Sequence, residues 1–118
     1  MGLKMTMADT EVLQEHYAEL ADRPFFPDLM AYISSGPVVC MCWRGQEAVK
    51  VARSIIGATN PTNAAMGTIR GDFGQVSGRN AVHGADSAAS ASREIALWFT
   101  DTEMMEWDPC LTPWIHDY

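Results

Sequence analysis

The chain has 118 residues, a formal net charge of −7 and 47% hydrophobic residues, enough for one domain to bury its own core without metal or disulfide staples. An acidic surface of this kind offers no attraction to a nucleic-acid duplex or an anionic membrane, so neither is expected as a main partner and any anion site must be a local basic pocket. No apolar run nears the ~20 residues that cross a bilayer, and no basic-then-apolar leader opens the sequence, which reads as soluble.

In chain order, Lys4 to Ala8 reads as a short strand. Asp9 or Thr10 then caps a helix whose apolar side carries Val12, Leu13, His16, Tyr17 and Leu20. A second helix is expected from Pro27, a first-turn residue, to the Gly36-Pro37 stop. The nearly unbroken apolar run Val38 to Trp43 predicts a fully buried strand. A third helix is predicted over Gln46 to Ile56, ended by Gly57. Residues Ala58 to Asp72 have no period and predict a long ordered loop, a kind of segment that is usually functional. Phe73 to Val76 and Ala81-Val82 are expected as an interrupted strand around Ser77-Gly78. Asp86 or Ser87 then caps a helix over Ala88 to Phe99 with Ala91, Ile95 and Trp98 in one apolar stripe. The tail Asp101 to Tyr118 lacks period and is expected to pack over the domain or on a neighbouring subunit. Helices interleaved with short strands predict an α+β layer, helices on one face of an antiparallel sheet.

Three cysteines, Cys40, Cys42 and Cys110, are an odd count. The Cys-x-Cys pair shares a strand face too closely for ordinary pairing. Buried thiols in a reducing, cytoplasmic compartment are the expectation. A cysteine-based metal site fails for want of further ligands at finger-like spacing.

The most informative stretch is Arg79-Asn80-Ala81-Val82-His83-Gly84-Ala85-Asp86-Ser87, which sets a histidine against a glycine turn directly before a capped helix. This run resembles the active-site signature of the nucleoside diphosphate kinases, Asn-x-x-His-Gly-Ser-Asp-Ser, with Ala85 in place of the first serine. Asp22 to Pro27, Ser35 to Val39, Gly57 to Pro61 and Gly67 to Phe73 are similar to further landmarks of that family, in its order and spacing. The resemblance covers Gly2 to Tyr118. It implies the ferredoxin-like version of the α+β layout and a single domain, 1–118, incomplete at its N-terminus. On that count the family's first strand and helix, roughly 30 residues, are lacking. So is a family lysine on that strand, which neither Lys4 nor Lys50 matches.

Imidazole can carry a phosphoryl group between nucleotides because its ordinary pKa of about 6.5 leaves it largely neutral at pH 7. The resemblance makes His83 that nucleophile, Glu94 the carboxylate that orients it, and Tyr17 a neighbour of the ring. It makes Arg53, Thr59, Arg70 and Asn80 the phosphate and sugar contacts, Phe25 the aromatic surface on which the base stacks, and Leu29 an apolar residue at the cleft mouth. Positive charge and donors around the oxygens are what phosphoryl transfer most requires. Mg2+ is expected to arrive on the nucleotide, with no all-protein cage. The implied activity is transfer of the γ-phosphate of ATP to nucleoside diphosphates by a ping-pong route in a homo-oligomer, commonly a hexamer. The alternative is a non-catalytic interaction subunit of the same family. Ala85 removes a hydroxyl near the histidine and predicts slower turnover, whereas Ser77 and Met66 replace family residues tolerably.

Overall fold

The computed structural model describes residues 1–115. Its first element is strand β1, Gly2–Met7, which pairs antiparallel with β2, Pro37–Cys42, in a register that sets Gly2 opposite Cys42, Lys4 opposite Cys40 and Thr6 opposite Val38. Side chains alternate across a strand. Lys4, Thr6, Val38, Cys40 and Cys42 therefore face inward, and Leu3, Met5, Val39 and Met41 are exposed. This corrects the expectation of a fully buried strand over Val38 to Trp43: β2 is covered on one face, and its continuous apolar sequence hid the alternation.

Helix α1, Thr10–His16, follows β1 at once, with Asp9 accepting a hydrogen bond from the Glu11 amide. The expectation that the opening strand and helix are lacking is thereby corrected, because β1 and α1 both stand at the N-terminus. Helices on an antiparallel sheet, the ferredoxin-like layout, is the arrangement found. Period-2 exposure and a capping aspartate are sufficient causes for β1 and α1, and both were visible in Lys4 to Ala8 and Asp9.

Helix α2, Phe26–Ile33, starts one residue before Pro27, and α3 spans Ala48–Ile56 and ends at Gly57, whose φ of 93° suits a residue without Cβ. The segment expected to be a plain loop holds a 3₁₀ turn, Pro61–Asn63, capped by Asn60, and helix α4, Ile69–Phe73, capped by Thr68. The interrupted strand does not form among the described residues; only an isolated bridge joins Val76 and Arg79. Helix α5, Ala88–Trp98, is capped by Ser87, whose hydroxyl accepts from the Ser90 amide at 3.0 Å.

After α5 the chain returns to the sheet. Lys4 and Glu103 pair at 3.0 Å, the Met105 amide donates to the Met1 carbonyl at 2.8 Å, and Arg44 reaches the Trp107 carbonyl. This part of the tail packs over the domain, as expected, and a last helix, α6, covers Thr112–Ile115. The end of that expectation, 116–118, lies outside the described residues. Leu13 is fully buried, and Cys42, Ile56, Phe99 and the charged Arg70 are also in the interior. Arg70 points the way to the site.

Candidate active site around His83

Two helices hold one flank of His83. The α1 and α5 surfaces meet where Arg93 donates to the Glu15 carbonyl and the Trp98 indole Nε1–H donates to His16 Nδ1 at 2.9 Å. Glu94 sits one turn before Trp98, so the two share a face of α5. Its Oε1 faces His16 Nε2 at 3.1 Å and also hydrogen-bonds His83 Nε2. The His83 side chain remains 48% exposed while Glu94 and His16 are 13% and 5% exposed. A reachable ring is thus backed by a sheltered carboxylate.

Aromatic contacts complete this flank. The His16 and His83 rings meet edge-on at 4.6 Å, and Tyr17 stands edge-on to His83 at 6.2 Å. Burial, and then the nearby Glu94, push the Tyr17 phenol up to about 12. Burial, and then the charge of His83, hold the His16 imidazole at about 4, well below its ordinary 6.5.

Loops form the other flank. Arg70 projects from α4, donating from Nη2 to the Val82 carbonyl at 2.7 Å and from Nη1 to the Gly57 carbonyl at 3.4 Å, while its buried Nε has no partner. Burial and the neighbouring Arg53 lower its pKa, yet a guanidinium stays charged. From α3, Arg53 donates to the Gly84 carbonyl at 2.9 Å. Two arginines therefore grip the backbone on either side of His83. Asn80 donates to the Thr59 carbonyl at 3.3 Å, joining the histidine loop to the loop after α3.

Local backbone explains why the histidine projects. The Val82 amide bonds the Asn80 carbonyl at 2.8 Å across Ala81, whose φ is 71°. Such a tight turn is strained for a residue with a Cβ, and strain of this kind gathers at functional sites. Gly84 packs closely on α3, since a Cβ there would stand 2.6 Å from Ile56 Cδ1 and that side-chain end would have to shift.

Of the residues singled out from sequence, His83, Glu94 and Tyr17 come together, and Arg53, Arg70, Thr59 and Asn80 line the loop flank. Tyr17, Leu29, Asn80, His83 and Glu94 border one hollow of about 1200 Å³. On the far side of Gly84, Lys50, Arg53, Ser87 and Asp86 line a second, more open cleft of about 990 Å³. Hydrogen bonds from Ser90 lead the causes that keep the exposed Asp86 carboxyl below the usual range. Phe25 is half exposed just before α2, and no ring contact among the described residues ties it to the histidines.

Sequence reasoning missed the roles of His16 and Trp98. His16 was visible only as part of the apolar side of α1; the signal that could have found it was Glu94 and Trp98 at i, i+4 on the facing helix. His16, His83 and Glu94 each offer a ligand atom, all within 4.8 Å of one another, a group that could hold a metal ion. Two nitrogens and one oxygen are not what Mg2+ selects, since it takes oxygen ligands and keeps its waters.

Known proteins are similar to this chain in sequence and fold. A family model described as "Nucleoside diphosphate kinase" matches residues 1–104. A protein named nucleoside diphosphate kinase from Trichormus variabilis is 51% identical over 117 residues, covering 99% of this chain and 78% of its own length. The crystal structure of a nucleoside diphosphate kinase family protein from Babesia bovis superposes with a TM-score of 0.92 at 46% identity, over 98% of this chain and 78% of that one. A halophilic nucleoside diphosphate kinase from Halobacterium salinarum, solved in complex with CDP, gives 0.93 at 44% identity over the same shares.

Proposed function

The chain belongs to the nucleoside diphosphate kinase family, and from that premise we propose that His83 is the residue that carries the phosphoryl group between nucleotides. The chain is a nucleoside-diphosphate phosphotransferase with a histidine site. The observation that carries the assignment to His83 is its pairing through Nε2 with Glu94. Because a carboxylate can only accept, that contact puts the proton on Nε2 and leaves the lone pair on Nδ1 of a ring whose side chain is 48% exposed.

In the first half-reaction Nδ1 bonds to the γ-phosphorus of ATP, the bond to the β,γ-bridging oxygen breaks, and ADP departs. A terminal oxygen of the acceptor diphosphate then attacks phosphorus, the P–N bond breaks, and the acceptor leaves as a triphosphate. Glu94 balances the positive charge that the imidazole acquires while bonded to phosphorus. Arg53 and Arg70 present N–H groups to the transferring oxygens. Each engages only part of its five-donor guanidinium with backbone carbonyls. Thr59 and Asn80 add neutral donors to phosphate and sugar. Phe25 offers an exposed ring for stacking, which accepts purines and pyrimidines alike. Leu29 closes the mouth of the cleft. Mg2+ comes as part of the nucleotide substrate and neutralises phosphate oxygens.

The wider setting follows the same reading. The free cysteines Cys40, Cys42 and Cys110 suit a cytoplasmic location, and none of the described helices is long and apolar enough to cross a membrane. The exposed apolar row Leu3, Met5, Val39 and Met41 on the sheet suits burial between subunits of a homo-oligomer, a hexamer by family likeness.

Incubation of the purified chain with γ-labelled ATP tests the assignment. Acid-labile, alkali-stable label that moves to GDP on a chase is the expected result, and His83→Ala should end it while leaving the fold intact. Persistent histidine labelling in that variant would move the nucleophile elsewhere.

A further inference from the structure

Glu94 orients His83, and something must orient Glu94. Its Oε1 has a second imidazole, His16, on the side away from solvent, and the far nitrogen of that imidazole meets an indole. An indole N–H can only donate. The Trp98 contact at 2.9 Å therefore requires a lone pair on His16 Nδ1 and puts the ring's single proton on Nε2, the nitrogen that lies 3.1 Å from Glu94 Oε1.

We propose that His16 and Trp98 are positioning residues: the indole hydrogen-bonds the imidazole, and the protonated Nε2 of that imidazole, in close electrostatic contact with the carboxylate, fixes Glu94 against His83. The proposal rests on the reading of His83 as phosphoryl carrier. A doubly protonated His16 would set N–H against N–H at the indole and bring a cation to the same Oε1 that serves His83. Trp98 forbids that state geometrically, and the 5% exposure of His16 gives the charge no water in its place. Arg93, the other cation of this face, is turned to the Glu15 carbonyl. The negative charge of Glu94 is thus kept for His83 at the moment its ring becomes positive. The same logic explains why His16 is a poor metal ligand: its Nδ1 lone pair is taken by the indole, and its Nε2 carries a proton.

Two measurements test this independently. Nitrogen-15 spectra of histidine-labelled wild-type protein should show His16 neutral with its proton on Nε2 at pH 7; a proton on Nδ1, or a cation, overturns the chain as drawn. Single-turnover labelling from ATP should be slowed about tenfold in His16→Phe, the order of one polar contact to a charged group, with KM for the nucleotide unchanged. His16→Gln, which restores an N–H toward Glu94, should recover the rate to within about threefold. Trp98→Phe should leave a folded protein in which His16 samples both tautomers. A wild-type rate in folded His16→Phe sinks the proposal while leaving the phosphohistidine intact. A wild-type chain that takes no label at all overturns the functional reading, and this inference with it.

Discussion

On its helical flank His83 meets Glu94 and His16, and His16 in turn accepts from Trp98, all on α1 and α5. On its loop flank it meets arginines whose described partners are main-chain carbonyls, Val82, Gly57 and Gly84. The difference separates two tasks. Side-chain pairs on rigid helices fix a ring angle and a proton, whereas guanidinium forks on carbonyls fix the path of the backbone and keep donors spare for an incoming anion. Damage to one flank should therefore alter the chemical step, and damage to the other should alter both loop order and substrate binding.

The comparison is broken most severely at Arg70. Arg70→Ala removes two backbone ties and, on the proposed assignment, a phosphate donor, and kcat/KM should fall by roughly 10²–10³, on the order of two charge-assisted hydrogen bonds. Arg70→Lys should recover little of it, because an ammonium lacks the planar fork. Recovery to near wild-type would show that charge alone matters on this flank.

Phe25 tests how far the loop flank extends. Phe25→Ala should raise KM by about fivefold with kcat kept, the lower end of a base-stacking contribution of ~1–3 kcal/mol, since the ring is half exposed. An unchanged KM for every nucleotide would remove it from the binding surface.

The smallest effect belongs to the helical flank and is read in stability. With His16 held at about 4 by burial and His83, the unfolded chain binds a proton that the folded one refuses between roughly pH 6.5 and 4. Stability should fall as pH drops through that window. Chemical denaturation across it should show a shallower decline in His16→Phe than in wild-type; equal slopes would mean that His16 does not carry the effect.

Much of this was legible in the sequence. Asp9, Ser87 and Gly57 mark helix ends, and the run around His83, with Glu94 downstream, marked a pair that the structure brings into contact. The family count of elements misled, because it declared a strand and helix lacking where Lys4 to Ala8 and the cap at Asp9 already described them. Thr68, whose capping hydroxyl starts α4, was passed over inside a segment read as loop. Trp98 was read as core, as its apolar bulk suggests; that its N–H selects a histidine tautomer follows only from the packing of α1 on α5, which no local pattern contains.

The turn at Ala81 carries a consequence for how competence arises. In a disordered chain nothing favours a φ of 71° at an alanine, so Asn80 and His83 are not presented together until α3, α4 and the loops they hold are in place. Arg53 and Arg70 grip the carbonyls of Gly84 and Val82 only in that finished state. On the proposed assignment, acceptance of a phosphoryl group by His83 would be a chemical certificate of complete folding, and partly folded copies of the chain would be silent rather than slow.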